Sequence, residues 1–311
     1  MDTRPDMLLL VSVGNTRTRC AVCLLKPRAG SGVVGLQPSR VVNNDSPEGV
    51  AQALTELLPA MADASDNARG VLLIASVNRS FSDQVLSTLK SQLGSRSPRI
   101  ITLRSPGSKV QGFEGGATLD VPIRTDLTGE ITVGVDRVLC ALAAHRKSGE
   151  ACVVIDAGTA VTVDFVDAFG VFKGGVIAPG VSLMARALNQ HTDAPPSVQP
   201  ASDRPLGPMG KTTAQAIALG CLGAVQGLAR LQIDRTAEMS GAYPRIIATG
   251  GDAVLLFEND DLVEHIVPDL VLMGMHASWE SLFGDDASDS EDGADTDSDD
   301  DHSARAERSR A

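Results

Sequence analysis

Residues able to handle phosphate groups fall in two short stretches of this 311-residue chain. One runs Val153-Val154-Ile155-Asp156-Ala157-Gly158-Thr159-Ala160-Val161-Thr162-Val163-Asp164. An apolar run ends in a carboxylate, a Gly-Thr corner follows, and small and β-branched residues then alternate, which reads as strand, tight turn and strand. The glycine lets backbone N–H groups come close to phosphate oxygens. The carboxylate at the strand end can hold a cation that the phosphates share. An ordinary hairpin whose Asp and Thr satisfy their own turn would have the same composition.

A second copy of the pattern lies near the N-terminus, from Leu8 to Val22. Laid over the first stretch, Ser12 falls on Asp156, Gly14 on Gly158 and Thr18 on Thr162. Two strand–glycine–hydroxyl–strand units predict two related lobes, each offering a phosphate-binding hairpin to a shared cleft. A third candidate is Gly134-Val135-Asp136-Arg137, ahead of an Ala- and Leu-rich helix expected over 138–146. Asp136 at that helix end is either an N-cap or a carboxylate placed to accept a substrate proton. Thr249-Gly250-Gly251, after an apolar strand, is a further place for backbone N–H groups to meet a nucleotide.

The elements that must carry these residues alternate. Helices are expected from Ser46 and over 81–93, with strands over 71–77 and 100–103, which argues for a layered α/β lobe. Residues 105–130 read as irregular and glycine-rich, and 192–208 as an extended loop. A helix with small residues at Gly220, Gly223, Ala224 and Gly227 is expected from Thr213 to about Thr236, and a last helix over 269–283. The expected organisation is a first lobe over 7–147, a second over 150–283, and a disordered acidic tail over 284–311.

The net charge of −12 is concentrated in that tail. Removing the eleven acids and three bases of 285–311 from the totals of 39 and 27 leaves 28 against 24, so the rest carries no nucleic-acid footprint. The start is polar, and no stretch reads as the roughly 18 apolar residues of a membrane span. Cys20, Cys23, Cys140, Cys152 and Cys221 have no framework spacing. Cys20 and Cys23 sit three apart in an expected strand and so point to opposite faces, which argues against a redox or zinc pair. These readings predict a cytoplasmic protein with reduced thiols and neither nucleic-acid nor membrane partners.

Six motifs in order resemble the type III pantothenate kinases of the actin/hexokinase/heat-shock ATPase superfamily. They are Ser12 to Thr16 where the family has Asp-x-Gly-Asn-Thr, Gly134 to Arg137 for Gly-x-Asp-Arg, and Asp156 to Thr162 for Asp-x-Gly-Thr-Ala-x-Thr. Gly174 to Gly180, Thr213 at a helix start, and Thr249 to Gly251 complete the set, over roughly residues 8–283. The resemblance implies an α/β, two-lobed actin-like ATPase fold with duplicated ribonuclease H-like lobes. It implies ATP-dependent phosphorylation of pantothenate to 4'-phosphopantothenate, the first step of coenzyme A synthesis. The cofactors implied are ATP, Mg²⁺ and a monovalent cation, K⁺ or NH₄⁺. A homodimer with pantothenate at the subunit interface is implied as well.

Carried over by residue, Ser12, Val13, Gly14, Asn15, Thr16, Arg17, Thr18 and Arg19 would cradle ATP phosphates, and Thr159 would contact the nucleotide. Asp156 would ligate the monovalent cation. Gly134, Val135, Asp136, Arg137 and Thr213 would hold pantothenate, with Asp136 the proton acceptor. Ser12 departs from the family's Asp, and Thr212 from its Asn. A serine brings no charge to the cation–phosphate cluster, so a second expectation stands beside the kinase: a weak or inactive relative that binds nucleotide or pantothenate as a regulatory or accessory protein.

Overall fold

The structure is a computed structural model and describes residues 5–26, 34–58, 70–128, 132–192, 197–203 and 207–284. The segment expected to be disordered, 284–311, lies outside these residues apart from Gly284.

In the first sheet β1 (Met7–Val13) and β2 (Arg17–Leu24) form a hairpin, with β3 (Gly35–Leu36) and β4 (Arg40–Asn43) both paired to β2. On the other side of β1 lie β5 (Val71–Ser76), β6 (Arg99–Arg104) and β7 (Ala117–Asp120), all parallel. β1 is apolar throughout except Ser12 and is covered on both faces, which explains an unbroken hydrophobic run in place of alternation. Its outer face packs on α1 (Pro47–Leu57) and α2 (Arg79–Leu93). α1 starts where expected: Ser46 Oγ accepts the Gly49 N–H at 3.1 Å, with Pro47 in the first turn.

The second sheet repeats the plan. β8 (Arg124–Thr125) is a short addition beside β11 (Val171–Pro179), and β10 (Ala160–Val166) joins β11 to β9 (Cys152–Ala157). β12 (Arg245–Thr249) runs parallel to β9 and β13 (His265–Ile266) parallel to β12. The order β4–β2–β1–β5–β6 in one sheet thus matches β11–β10–β9–β12–β13 in the other. The duplication expected from the hairpins extends to the whole sheet core.

The helices α3 (Val135–Ser148) and α7 (Leu270–Phe283) lie between the sheets, where their apolar residues join the inner faces of both in one core. α7 packs on β1 and β2, whereas α3 packs on β9 and β10. The last helix of each expected lobe thus packs on the other lobe's sheet, α3 touching β5 of its own as well. The two helices approach closely at Gly274, where a Cβ would lie 2.1 Å from the Leu139 carbonyl oxygen. The outer face of the second sheet is covered by α4 (Val181–His191), α5 (Thr213–Ser240) and α6 (Ala253–Phe257).

Several local expectations change. Residues 105–130, read as irregular, contain β7 and β8, and β11 runs on through Gly174–Pro179. α3 begins at Val135 rather than Val138, which puts Asp136 inside the helix. By length and composition alone α5 would reach across a bilayer, so the expectation that no stretch does fails there. The apolar residues Ala218, Cys221, Leu222, Val225, Ala229 and Ile233 on α5 are buried in the second outer core. All five cysteines are free and buried. Cys20 faces the first outer core and Cys23 the central one, as the three-residue spacing predicts.

Candidate active site

The two hairpins meet at their tips. Thr16 Oγ1 and Thr159 Oγ1 are 2.8 Å apart, one hydroxyl donating to the other across the lobes. Arg17 extends from the first tip to the Gly250–Gly251 turn after β12; a Cβ on Gly251 would stand 2.9 Å from its Nη1. Asn15, Thr16 and Arg17 are exposed at this cleft, whereas Val13 is buried. Thr18 is buried too, and its hydroxyl donates to Asn44 Oδ1 at 2.7 Å while Asn44 Nδ2 holds the Gly14 carbonyl at 2.9 Å. Thr18 thus shapes the loop from behind.

The strand registers correct the repeat. Ser12 pairs with Arg19 and Val13 with Thr18, but Asp156 pairs with Thr162 and Ala157 with Val161. The Gly14 N–H bonds to Arg17 O, three residues on, whereas the Gly158 N–H bonds to Ala160 O, two on. The first turn is one residue longer, so Arg19, not Thr18, is the counterpart of Thr162. Arg19 itself donates Nη1 to Asp269 Oδ1 at 2.5 Å, tying β2 to the start of α7.

Glycines fix the second tip. A Cβ on Gly180 would sit 2.1 Å from Gly158 O and 2.7 Å from Thr159 O. Gly250, at φ 98°, lies where a Cβ would be 2.4 Å from Ala157 O and 2.6 Å from Asp156 Oδ1. Asp156 keeps some solvent exposure by surface area, yet protein surrounds its carboxyl. Burial, then the nearby carboxylates of Asp136 and Asp164, push it up to about 7, against a smaller pull from Arg19.

Asp136 is the second residue of α3, not its cap; Gly134 caps the helix without a side chain. Asp136 Oδ1 accepts the Arg137 N–H at 2.8 Å. Burial raises its carboxyl, with Asp164 adding to the rise and Arg137 opposing it. A Cβ on Gly134 would lie 2.6 Å from Asp136 Oδ1 and 3.4 Å from Val77 Cγ1, so the absent side chain leaves this carboxylate room. Arg137 spends its guanidinium on Asp164: Nε donates to both oxygens, at 3.0 and 3.1 Å, and Nη2 donates to Oδ1. The ring of Phe172 lies under it, 5.8 Å from Cζ.

Beside Gly134 and Val135 opens a cavity of about 370 Å³ between α2, the ends of β5 and β6, and the 105–113 loop. Within one chain, then, Ser12–Arg17, Asp156, Thr159 and Asp136 converge. Thr213 does not join them. It is exposed at the start of α5, which packs on α4, α6 and β10. Two residues that shape the site are not singled out by the motifs: Asn44, for which the sequence carries no signal, and Asp164, two residues beyond the Asp156–Thr162 motif.

Duplicated lobes of this topology, with paired glycine hairpins facing one cleft, define a two-lobed actin-like ATPase fold. A Sinorhizobium meliloti protein described as a 2-dehydro-3-deoxygalactonokinase shares the fold at a TM-score of 0.51 and 12% identity, over 89% of this chain and 99% of that one. The chain belongs to the type III pantothenate kinase family, whose model matches residues 8–235. It is 35% identical over 243 residues to a type III pantothenate kinase of Pseudomonas paraeruginosa, spanning 76% of this chain and 92% of the relative. It is 30% identical over 285 residues to one of Saccharopolyspora erythraea, spanning 89% and 100%.

Proposed function

We propose that this protein transfers the γ-phosphoryl group of ATP to the primary hydroxyl of pantothenate, the first step of coenzyme A synthesis. The observation that carries the reading is the placement of Asp136, between the nucleotide hairpins and the Gly134–Val77 wall of the cavity. The acceptor oxygen attacks the γ-phosphorus, the bond to the ADP oxygen breaks, and the hydroxyl proton passes to Asp136. The tips at Asn15–Arg17 and Thr159 hold the phosphates in line, which is most of what phosphoryl transfer asks of a protein.

The site fits cations through oxygen atoms alone. Asp156 Oδ1 and the Ala157 carbonyl stand together around the bare Gly250, the donor type that hard cations take. Asp156 would hold the monovalent cation, K⁺ or NH₄⁺. Mg²⁺ would rest mainly on phosphate and water, since Ser12 is neutral. When bound, these cations offset phosphate charge. The same reading has two copies of the chain sharing the acceptor site. Its supports are the exposed Thr213 and the face of Gly220, Gly223 and Gly227, where an added Cβ meets nothing among the described residues. Light scattering is expected to give twice the chain mass, and a single-chain mass removes Thr213 from the site.

Single-turnover phosphorylation of pantothenate with ATP, Mg²⁺ and K⁺ tests the activity. Wild type is expected to turn over. Ser12→Asp, which restores the missing charge, is expected to be faster by roughly ten- to a thousandfold. An inactive wild type rescued by Ser12→Asp identifies the accessory-protein alternative. Two inactive proteins overturn the pantothenate assignment.

A further inference from the structure

The first-lobe cavity holds two guanidinium groups that the reaction as derived leaves unused. Arg104 is committed to structure: Nε donates to Asp120 Oδ1 at 2.5 Å and Nη1 to the Val110 carbonyl at 3.2 Å. Arg79, the first residue of α2, donates Nη1 to the Gln111 carbonyl at 2.6 Å. Its Nε is 3.5 Å from Asp83, a loose pair with both side chains about half exposed. Arg79, Arg104 and Asp83 all line the cavity, in a setting otherwise apolar, hydroxylic or amide, and with Arg104 closed on Asp120 the half-exposed Arg79 is the lining cation held by only a loose ion pair. Its about 370 Å³ lies at the small end of ordinary ligand pockets, roughly 300–1,000 Å³. That suits a compact acid with one carboxylate.

Val77, two residues before Arg79, lies on the Asp136 side of the same cavity. We propose that the acceptor lies in this cavity with its reacting hydroxyl at Gly134 and Val77, beside Asp136, and its carboxylate on Arg79. Arg79 rather than Arg137 then reads the acid, because the Arg137 fork is already closed on Asp164. This inference rests on the pantothenate reading and adds to it the residue that selects for the charged end. Arg79 touches only the far end of the substrate, so it governs specificity and leaves the chemical step alone.

The test compares kcat/KM for pantothenate and for pantothenol, its uncharged alcohol analogue, using the full chain with ATP, Mg²⁺ and K⁺. Wild type is expected to prefer the acid by about ten- to a hundredfold, the range for one charge-assisted hydrogen bond. Arg79→Met is expected to remove that preference by lowering the acid alone, with pantothenol within about twofold of wild type. Arg104→Met, the control, is expected to lower both substrates alike. Equal losses for both substrates in Arg79→Met, or no change in either, overturn the proposal and leave Arg79 as a clamp on the loop. Should Arg79→Met fail to fold, Arg79→Gln keeps a donor for the Gln111 carbonyl and gives the same readout. A wild type that phosphorylates neither compound overturns the pantothenate reading itself, an outcome distinct from turnover with unchanged preference.

Discussion

Replacing Asp136 by Asn is expected to lower kcat for pantothenate phosphorylation by about 10²–10⁴-fold, the range for a positioned general base. KM should move little, because Asn keeps the size of the carboxylate and can still accept the Arg137 N–H through its Oδ1. The pH profile provides the second readout. Burial and neighbouring acids raise both Asp136 and Asp156, so the base form is lost as pH falls through a range above that of ordinary carboxylates. Wild-type kcat/KM is therefore expected to rise with pH across a step belonging to the coupled pair. In Asp136→Asn the residual rate should lose that step or shift it downward, since one of the two charges has gone. A kcat within a few-fold of wild type would remove Asp136 from the chemistry and leave it a structural part of the α3 start.

The largest effect on stability is expected at Asp164. Its side chain is 2% exposed and that of Arg137 11%, and the guanidinium holds both carboxylate oxygens. Burial pushes the Asp164 carboxyl up while Arg137 pulls against it, so the pair stands only as a pair. Asp164→Asn leaves a buried guanidinium without its counter-charge, at a cost of about 3–5 kcal/mol. Urea unfolding should show that loss as a lower midpoint with an unchanged slope. The double variant Asp164→Leu with Arg137→Met should recover much of it, because no unpaired charge remains. A loss below about 1 kcal/mol in Asp164→Asn would mean that water reaches Arg137. Since Arg137 follows Asp136 directly, the same change should also loosen the Asp136 carboxylate.

What could be read from the sequence divides along physical lines. The strands β1, β5 and β9 were legible because a chain covered on both faces must be apolar throughout. The hairpin tips were legible because Gly14 and Gly158 mark turns whatever surrounds them. Boundaries set by tertiary contact were not legible. β7 and β8 are short edge strands whose pairing comes from their neighbours, and α3 begins at Val135 because Gly134 caps it with backbone alone. The repeat was found, but its alignment slipped by one residue beyond the turn, because sequence similarity does not reveal loop length. The resemblance makes Arg137 a substrate contact, and only the folded chain shows how fully Asp164 occupies it. The cavity had no sequence signal at all. Its walls come from α2, two strand ends and two loops.

The position of α7 bears on how this chain can be made. The inner face of β1 is covered by a helix that begins at Leu270, with Gly274 seated against Leu139. On a ribosome adding about 5–20 residues per second, the interval from Val13 to Leu270 is on the order of 10–50 s. Throughout that time the inner face of β1 and β2 lacks the helix that packs directly on it in the folded chain. The first lobe therefore lacks part of its core cover until late in synthesis. Its nascent form is exposed to aggregation and open to chaperone capture until the last helix closes the core.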